Sequence, residues 1–218
     1  MARFDRGRLI AHQRIAVVFD IGANVGQYAE ELRALGYRGR IVSCEPLAAA
    51  YRELAAKAAR DPQWEALHVA LGEAAGRREM HVAANSQSSS LLEMHANHVA
   101  AAPHATYEGS EAVEVTTLDA IFDRYVRDGE RVLVKLDVQG YERFVLAGAR
   151  ASVPRVHGVQ LEMSLVPLYE GEALFPELLA QMTAHGFQLM GIEPVLVDRE
   201  TGQLLAVDGM FFRPEVAA

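Results

Sequence analysis

The sequence predicts an α/β protein built on a mostly parallel sheet, and three observations carry that reading. Residues 14–21 form an almost continuous apolar run, as expected of a strand buried on both faces. Strand and helix patterns then alternate through the first third of the chain. Polar residues recur where the apolar runs stop, and the carboxyl ends of the strands are where open α/β sheets bind ligands.

The first strand runs into Gly22-Ala23-Asn24-Val25-Gly26, and a helix follows at once, with Tyr28, Leu32 and Leu35 at helical spacing and Gly36 as its stop. Residues 40–44 are a second strand ending on Glu45-Pro46, and the alanine-rich residues 47–60 a helix. Residues 64–71 read as a third strand closed by Gly72, and residues 77–84 as an additional one. Residues 85–112 are the least regular part, a lid-like insertion in which residues 91–102 suit a short helix. Regular structure returns with a strand over 113–116, a helix over 118–125 capped by Thr117, and a buried strand over 131–136 ending in Asp137. A helix over 141–149, a strand over 156–163 carrying Glu162, and a helix over 173–185 stopped by Gly186 come next. Residues 187–197 and 204–212 close the chain as an antiparallel hairpin around Asp-Arg-Glu-Thr-Gly. This gives one domain over residues 15–213, an N-terminal extension over 1–14 that packs on a neighbour or stays mobile, and a tail over 214–218.

Composition narrows the partners. A chain of 218 residues buries one substantial core, and a formal net charge of −8 argues against nucleic acid as the main partner. The single cysteine, Cys44, cannot close an internal disulfide, and no apolar run is long enough to span a bilayer, so a cytoplasmic location is expected. Oligomerisation stays open.

The strand ends offer Asp20, Glu45, Asp137, Glu162 and Asp208. Glycines at 22 and 26 permit a tight turn and a close approach of backbone to ligand, at a helix start that presents free N–H groups. The run is Gly-x-Asn-x-Gly rather than the dinucleotide Gly-x-Gly-x-x-Gly, and Asp20 would repel a pyrophosphate but suits the amino-acid end of S-adenosylmethionine. Glu45 is placed to accept hydrogen bonds from two ribose hydroxyls.

VFDIGANVGQYA resembles the first motif of the FkbM-type methyltransferases. SSSLL at 88–92, TTLDAI at 116–121, LVKLDVQGYERFVLAGA at 133–149, VQLEMSL at 159–165 and VDGMFFR at 207–213 are similar to further stretches of that family. The resemblance implies a class I methyltransferase fold, with a mostly parallel seven-stranded twisted sheet, helices on both faces and an antiparallel terminal hairpin. It also implies S-adenosylmethionine as cofactor and a hydroxyl on a sugar or polyketide-type small molecule as acceptor. Carried over by position, Asp20, Gly22, Asn24 and Gly26 line the methionine portion, Glu45 with Pro46 holds the ribose, and Ala70 and Leu71 flank the adenine. Asp137 lies near the transferring methyl group, and Gln139 stands where the family often has Glu, with one charge fewer near the site.

Asp137 is the first candidate for the base or for orienting the acceptor, although it could instead contact the cofactor or cap the next helix. Glu162, costly to bury alone, either takes part in catalysis or pairs with Lys135. His95 and His98, three apart in the insertion with His104 nearby, could set two imidazoles on one helix face over the site as an alternative base, although the favoured expectation is solvated side chains. Ser88, within Asn85–Ser90, is expected to reach the cofactor carboxylate or the acceptor from a lid pinned by Leu91-Leu92. No metal is predicted, although a divalent ion held by Asp137, Glu162 and a further carboxylate is conceivable. Two other classes compete: a nicotinamide-dependent oxidoreductase on the same fold, and a non-catalytic cofactor-binding domain.

Overall fold

The computed structural model describes residues 4–214. Helix α1 (Arg6–His12) starts on Asp5, whose carboxylate accepts the Arg8 amide, and buries Ile10. The described part of the N-terminal extension therefore folds onto the chain's own core, while residues 1–3 lie outside the described residues. Of the expected tail only Pro214 is described. Strand β1 (Val17–Ile21), buried throughout, is followed by α2 (Gln27–Ala34), β2 (Arg40–Cys44), α3 (Ala48–Ala58) and β3 (Trp64–Leu67).

The stretch expected as one strand over 64–71 is two. Leu67 pairs with Cys44 at the end of the main sheet, the chain turns through a Val69 N–H to Leu67 carbonyl bond, and β4 (Ala70–Leu71) joins a separate sheet. That sheet has three strands in the order β4–β6–β5, formed with β5 (Gly76–Ala83) and β6 (Tyr107–Thr116). Between β5 and β6 the chain makes a short helix α4 (Ala96–Ala101), and β6 starts earlier than its apolar pattern suggested because residues 107–112 pair with β5 while facing water.

The remaining elements are α5 (Leu118–Tyr125), capped by Thr117 on the Ala120 amide, β7 (Val132–Leu136), α6 (Glu142–Ala147), β8 (Gly158–Ser164), α7 (Phe175–Ala184), β9 (Gln188–Val197) and β10 (Leu204–Phe212). The main sheet has seven strands in the order β3–β2–β1–β7–β8–β10–β9, parallel except for β10, which runs antiparallel to both neighbours. One core cluster packs Phe19, Phe122, Val145 and Met182 on one face, and a second packs Ile10, Leu32, Leu54 and Phe212 on the other. The strand order reverses at β1, between β2 and β7, so the crevice outside the ends of these strands is the expected ligand position.

Candidate active site

Register aligns one polar rung across four strands. Asp20 on β1 stands opposite Ser43 on β2 and Lys135 on β7, and Lys135 stands opposite Gln160 on β8. The Ser43 hydroxyl donates to Asp20 Oδ2 at 3.1 Å and accepts the Trp64 indole N–H at 2.9 Å. Lys135 Nζ is 3.2 Å from Asp20 Oδ1, 3.3 Å from Asp137 Oδ2, and donates to the Gly22 carbonyl at 3.2 Å. Burial works against the charged ammonium, but Asp137 and Asp20 hold its pKa well above the usual lysine range. The expected Glu162–Lys135 pair does not form, because Lys135 is taken up by the two aspartates of β1 and β7. The Tyr28 hydroxyl donates to Gln160 Oε1 at 2.8 Å, and Gln160 Nε2 donates to Asp208 Oδ2 at 2.9 Å.

The turn after β1 explains its residue types. Gly22 has φ +79°, and a Cβ there would collide with the Asp137 carbonyl. Gly26 has φ +90°, and its added Cβ would meet the Trp64 ring at 2.8 Å. Both glycines thus serve the packing of the chain on itself. Glu45, buried beyond β2, accepts the Asn24 amide on Oε2 at 2.9 Å and the Leu47 amide on Oε1 at 2.7 Å. Each oxygen keeps a free lone pair. Burial raises its pKa to about 7 against the pull of these two bonds.

Beyond β7, Gln139 adopts φ 55°, and its amide spans two carboxyl groups. Its Nε2 donates to Asp137 Oδ1 at 2.7 Å and Glu162 Oε2 at 2.8 Å, while its Oε1 accepts the Tyr169 hydroxyl at 2.6 Å. Burial would raise Asp137, but Lys135 and the hydrogen bonds from Glu162 and Gln139 hold it below the usual carboxylate range. Glu162 moves the other way: burial and the neighbouring Asp137 charge push it well up. Glu142 is buried under the same turn, accepts the Val138 amide at 3.0 Å, and is raised to about 8 chiefly by burial.

The insertion folds over these groups. Ser90 exchanges backbone bonds with His81, its hydroxyl donates to the Gln139 carbonyl at 2.7 Å, and the Asn24 side-chain amide donates to Ser86 Oγ at 3.0 Å. Ser88, Ser89 and Ser90 are buried. The histidines divide. His95 caps α4 through Nδ1 on the Asn97 amide, whereas His98, expected at the surface, is buried edge-on against Tyr169. α4 turns that side chain inward because the Asn97 side chain and the His95 amide tie it to the carbonyls of Pro167 and Leu168.

Together these residues line a cavity of about 470 Å³. Of the residues singled out in the sequence, Gly22, Asn24, Glu45, Pro46, Ala70, Leu71, Ser88, Lys135, Asp137, Gln139 and Glu162 reach its wall. Asp20 and Gly26 do not: Asp20 is fully buried behind Lys135, and Gly26 faces Trp64. Sequence reasoning missed Tyr28, Gln160 and Arg6, which also line it, and favoured a solvated position for His98, which lines it too. Gln160 could have been found by the criterion that selected Glu162, a polar residue inside an apolar strand. Among the described residues no group of three or more His, Cys, Asp or Glu converges in a metal-ligating arrangement, and no helix is long and apolar enough to cross a membrane.

Residues 20–189 match the family model of the methyltransferase FkbM domain. No curated protein matches the sequence. Among solved structures, magnesium protoporphyrin IX methyltransferase from Synechocystis, with bound S-adenosylmethionine, superposes at a TM-score of 0.51 and 11% identity, over 95% of this chain and 74% of that one. An rRNA methylase from Streptococcus thermophilus superposes at a TM-score of 0.50 and 10% identity, over 98% of this chain and all of that one. At such identities the likeness speaks for the fold, a class I methyltransferase sheet. With the family model covering most of its length, the chain belongs to the FkbM methyltransferase family and is an S-adenosylmethionine-dependent methyltransferase.

Proposed function

We propose that the protein O-methylates a hydroxyl group of a small molecule of sugar or polyketide type. The observation that carries this reading is the chemistry of the cavity, whose size falls within the range of small-molecule sites. The donor set fits the cofactor. Glu45 keeps one lone pair per oxygen for two vicinal hydroxyls, and the apolar side chains of Ala70 and Leu71 suit a flat base. The Asp137 carboxylate, held ionised by Lys135, suits a cationic sulfonium. Asn24, Ser88 and Gln139 line the methionine side, with Pro46 beside the ribose, while Asp20 and Gly26 act from behind the wall by fixing Lys135 and the turn.

When bound, the cofactor supplies an electrophilic methyl group. The chain contributes alignment and a partly enclosed pocket. Asp137 and Glu162, bridged by Gln139, orient the acceptor hydroxyl, and Lys135 keeps Asp137 in place and ionised. Hydrogen-bonding groups at Gln160, Tyr28 and Asp208 favour a hydroxylated acceptor, and a net charge of −8 favours a small molecule over nucleic acid. The absence of a membrane-length helix among the described residues and the lone buried cysteine are compatible with work in the cytoplasm.

Isothermal titration of the wild type and Glu45→Ala with S-adenosylmethionine, S-adenosylhomocysteine and NAD tests the cofactor half. Binding of the two sulfur compounds, weakened about 10- to 100-fold by the substitution as expected for losing a charged hydrogen-bond partner, supports the reading. Binding of NAD alone would refute it. The acceptor half is tested by screening hydroxylated sugars and macrolides for methyl ether products; N- or C-methylated products exclusively would overturn it.

A further inference from the structure

We propose that His98 is the general base that removes the acceptor's proton, an inference that rests on the cofactor reading above. His98 is only 5% exposed, lines the cavity, and its buried Nδ1 has no hydrogen-bond partner among the described residues. Buried polar groups are nearly always satisfied, so an orphaned imidazole in a cavity wall asks for a partner that arrives with a ligand. Its position is fixed. The ring meets Tyr169 edge-on, at 5.0 Å between centroids and 84° between planes, and Tyr169 donates to the same Gln139 that bridges Asp137 and Glu162. His98 therefore lines the cavity two side chains, Tyr169 and Gln139, away from the carboxyl pair.

The other groups of the wall are committed. Asp137 already accepts from Lys135 and Gln139 and is held below the usual carboxylate range, which makes it a weak base. Glu162 accepts from Gln139, and Asp208 accepts from Gln160. Burial lowers the His98 pKa, so the imidazole is neutral and able to accept a proton near neutral pH. In the step assigned to it, the acceptor O–H bond breaks and its proton passes to the imidazole. The oxygen lone pair bonds to the methyl carbon, and the carbon–sulfur bond breaks with its pair retained by sulfur. The products are a methyl ether, S-adenosylhomocysteine and an imidazolium that returns its proton to water.

The test needs no acceptor. Histidine C2 proton resonances are titrated by NMR in complexes with S-adenosylhomocysteine and with sinefungin, which carries an ammonium-forming amine where the methyl group would be. His98 is assigned by the loss of its resonance in His98→Gln and, independently, by its Overhauser contact to the Tyr169 ring. A base aimed at the methyl position should titrate about one pH unit lower with sinefungin than with S-adenosylhomocysteine, because a like charge disfavours its protonation. His157, also depressed but outside the cavity, should titrate equally in both. Equal midpoints for His98 in the two complexes refute the proposal. If calorimetry shows that neither compound binds, the cofactor reading falls, and this inference with it.

Discussion

Replacing Lys135 by methionine removes the only cation within ion-pair distance of Asp20 and Asp137 among the described residues, while roughly conserving side-chain length. At 3.2 and 3.3 Å each pair is worth about 5 kcal/mol of gross Coulomb attraction at an effective dielectric constant near 20, most of it offset by the desolvation of buried Lys135 and Asp20 and of part-exposed Asp137. Breaking such a cluster by removing one partner costs about 3–5 kcal/mol, a large share of the roughly 5–15 kcal/mol that holds a domain together. The pH dependence carries the sharper signature. In the wild type the lowered Asp137 contributes stability above the ordinary aspartate pKa, and the raised Lys135 contributes it below the ordinary lysine pKa, so neither changes between pH 7 and pH 5. In the variant, burial acts on Asp137 without its cation and raises it, so the folded state takes up protons as pH falls and part of the loss is recovered at pH 5. Glu45 and Asp208, which Lys135 also holds down, rise with it and add to the same recovery at low pH, whereas Glu142 is not shifted by Lys135 and cancels in the difference. Urea unfolding of both proteins at pH 7 and pH 5 measures this. A loss below about 1 kcal/mol at pH 7, or a loss independent of pH, would refute the argument. Adding Asp20→Asn to the variant should restore part of the stability, since one uncompensated carboxyl is gone.

Gly26→Ala should lower stability by about 1–3 kcal/mol through its positive φ and the clash with Trp64, read from the thermal midpoint. Glu45→Gln should raise the midpoint of the ligand-free protein more at pH 8 than at pH 5: a carboxyl raised to about 7 leaves stability intact at low pH and erodes it as pH climbs to 7. Ser86→Ala, which loses the bond from the Asn24 side chain, should speed S-adenosylhomocysteine release about fivefold in stopped flow, the equivalent of one net hydrogen bond. Gln139→Glu replaces a donor between two carboxyls with a third carboxyl. It should destabilise the protein at pH 8 and much less at pH 5, by chemical denaturation.

Much of the architecture was legible because the pattern of buried parallel strands is blunt: the apolar runs at β1, β7 and β8 could hardly be anything else. The second sheet was not legible. β4 continues the apolar run of β3 with no Gly or Pro between them, and the first half of β6 is polar because it pairs with β5 at the surface, so periodicity registers neither event. At the site, strand-end position singled out Glu45, Asp137 and Glu162, which do reach the cavity, but it could not say who pairs with whom. The partner of Lys135 depends on sheet register across 115 residues of sequence, from Asp20 to Lys135, and the inward turn of His98 depends on hydrogen bonds to a loop that begins 69 residues later, at Pro167.

The insertion over residues 84–106 leaves and rejoins the protein where Ala83 faces Tyr107, at the end of one antiparallel pair. A segment with its two ends clasped side by side can lengthen, shorten or be exchanged at an entropic cost that grows only with the logarithm of its length. Neither sheet has to shift to accommodate it. The half of the pocket proposed to meet the cofactor is written mostly into strand ends and their register, where a single change disturbs several neighbours, with Ser86 and Ser88 as the insertion's share. The half that carries His98 is written into a detachable loop. On the proposed reading, new acceptors are acquired by rewriting the stretch around α4 while Ser86 and Ser88 are kept, and grafting that stretch from a family member with another acceptor is the route to altered specificity.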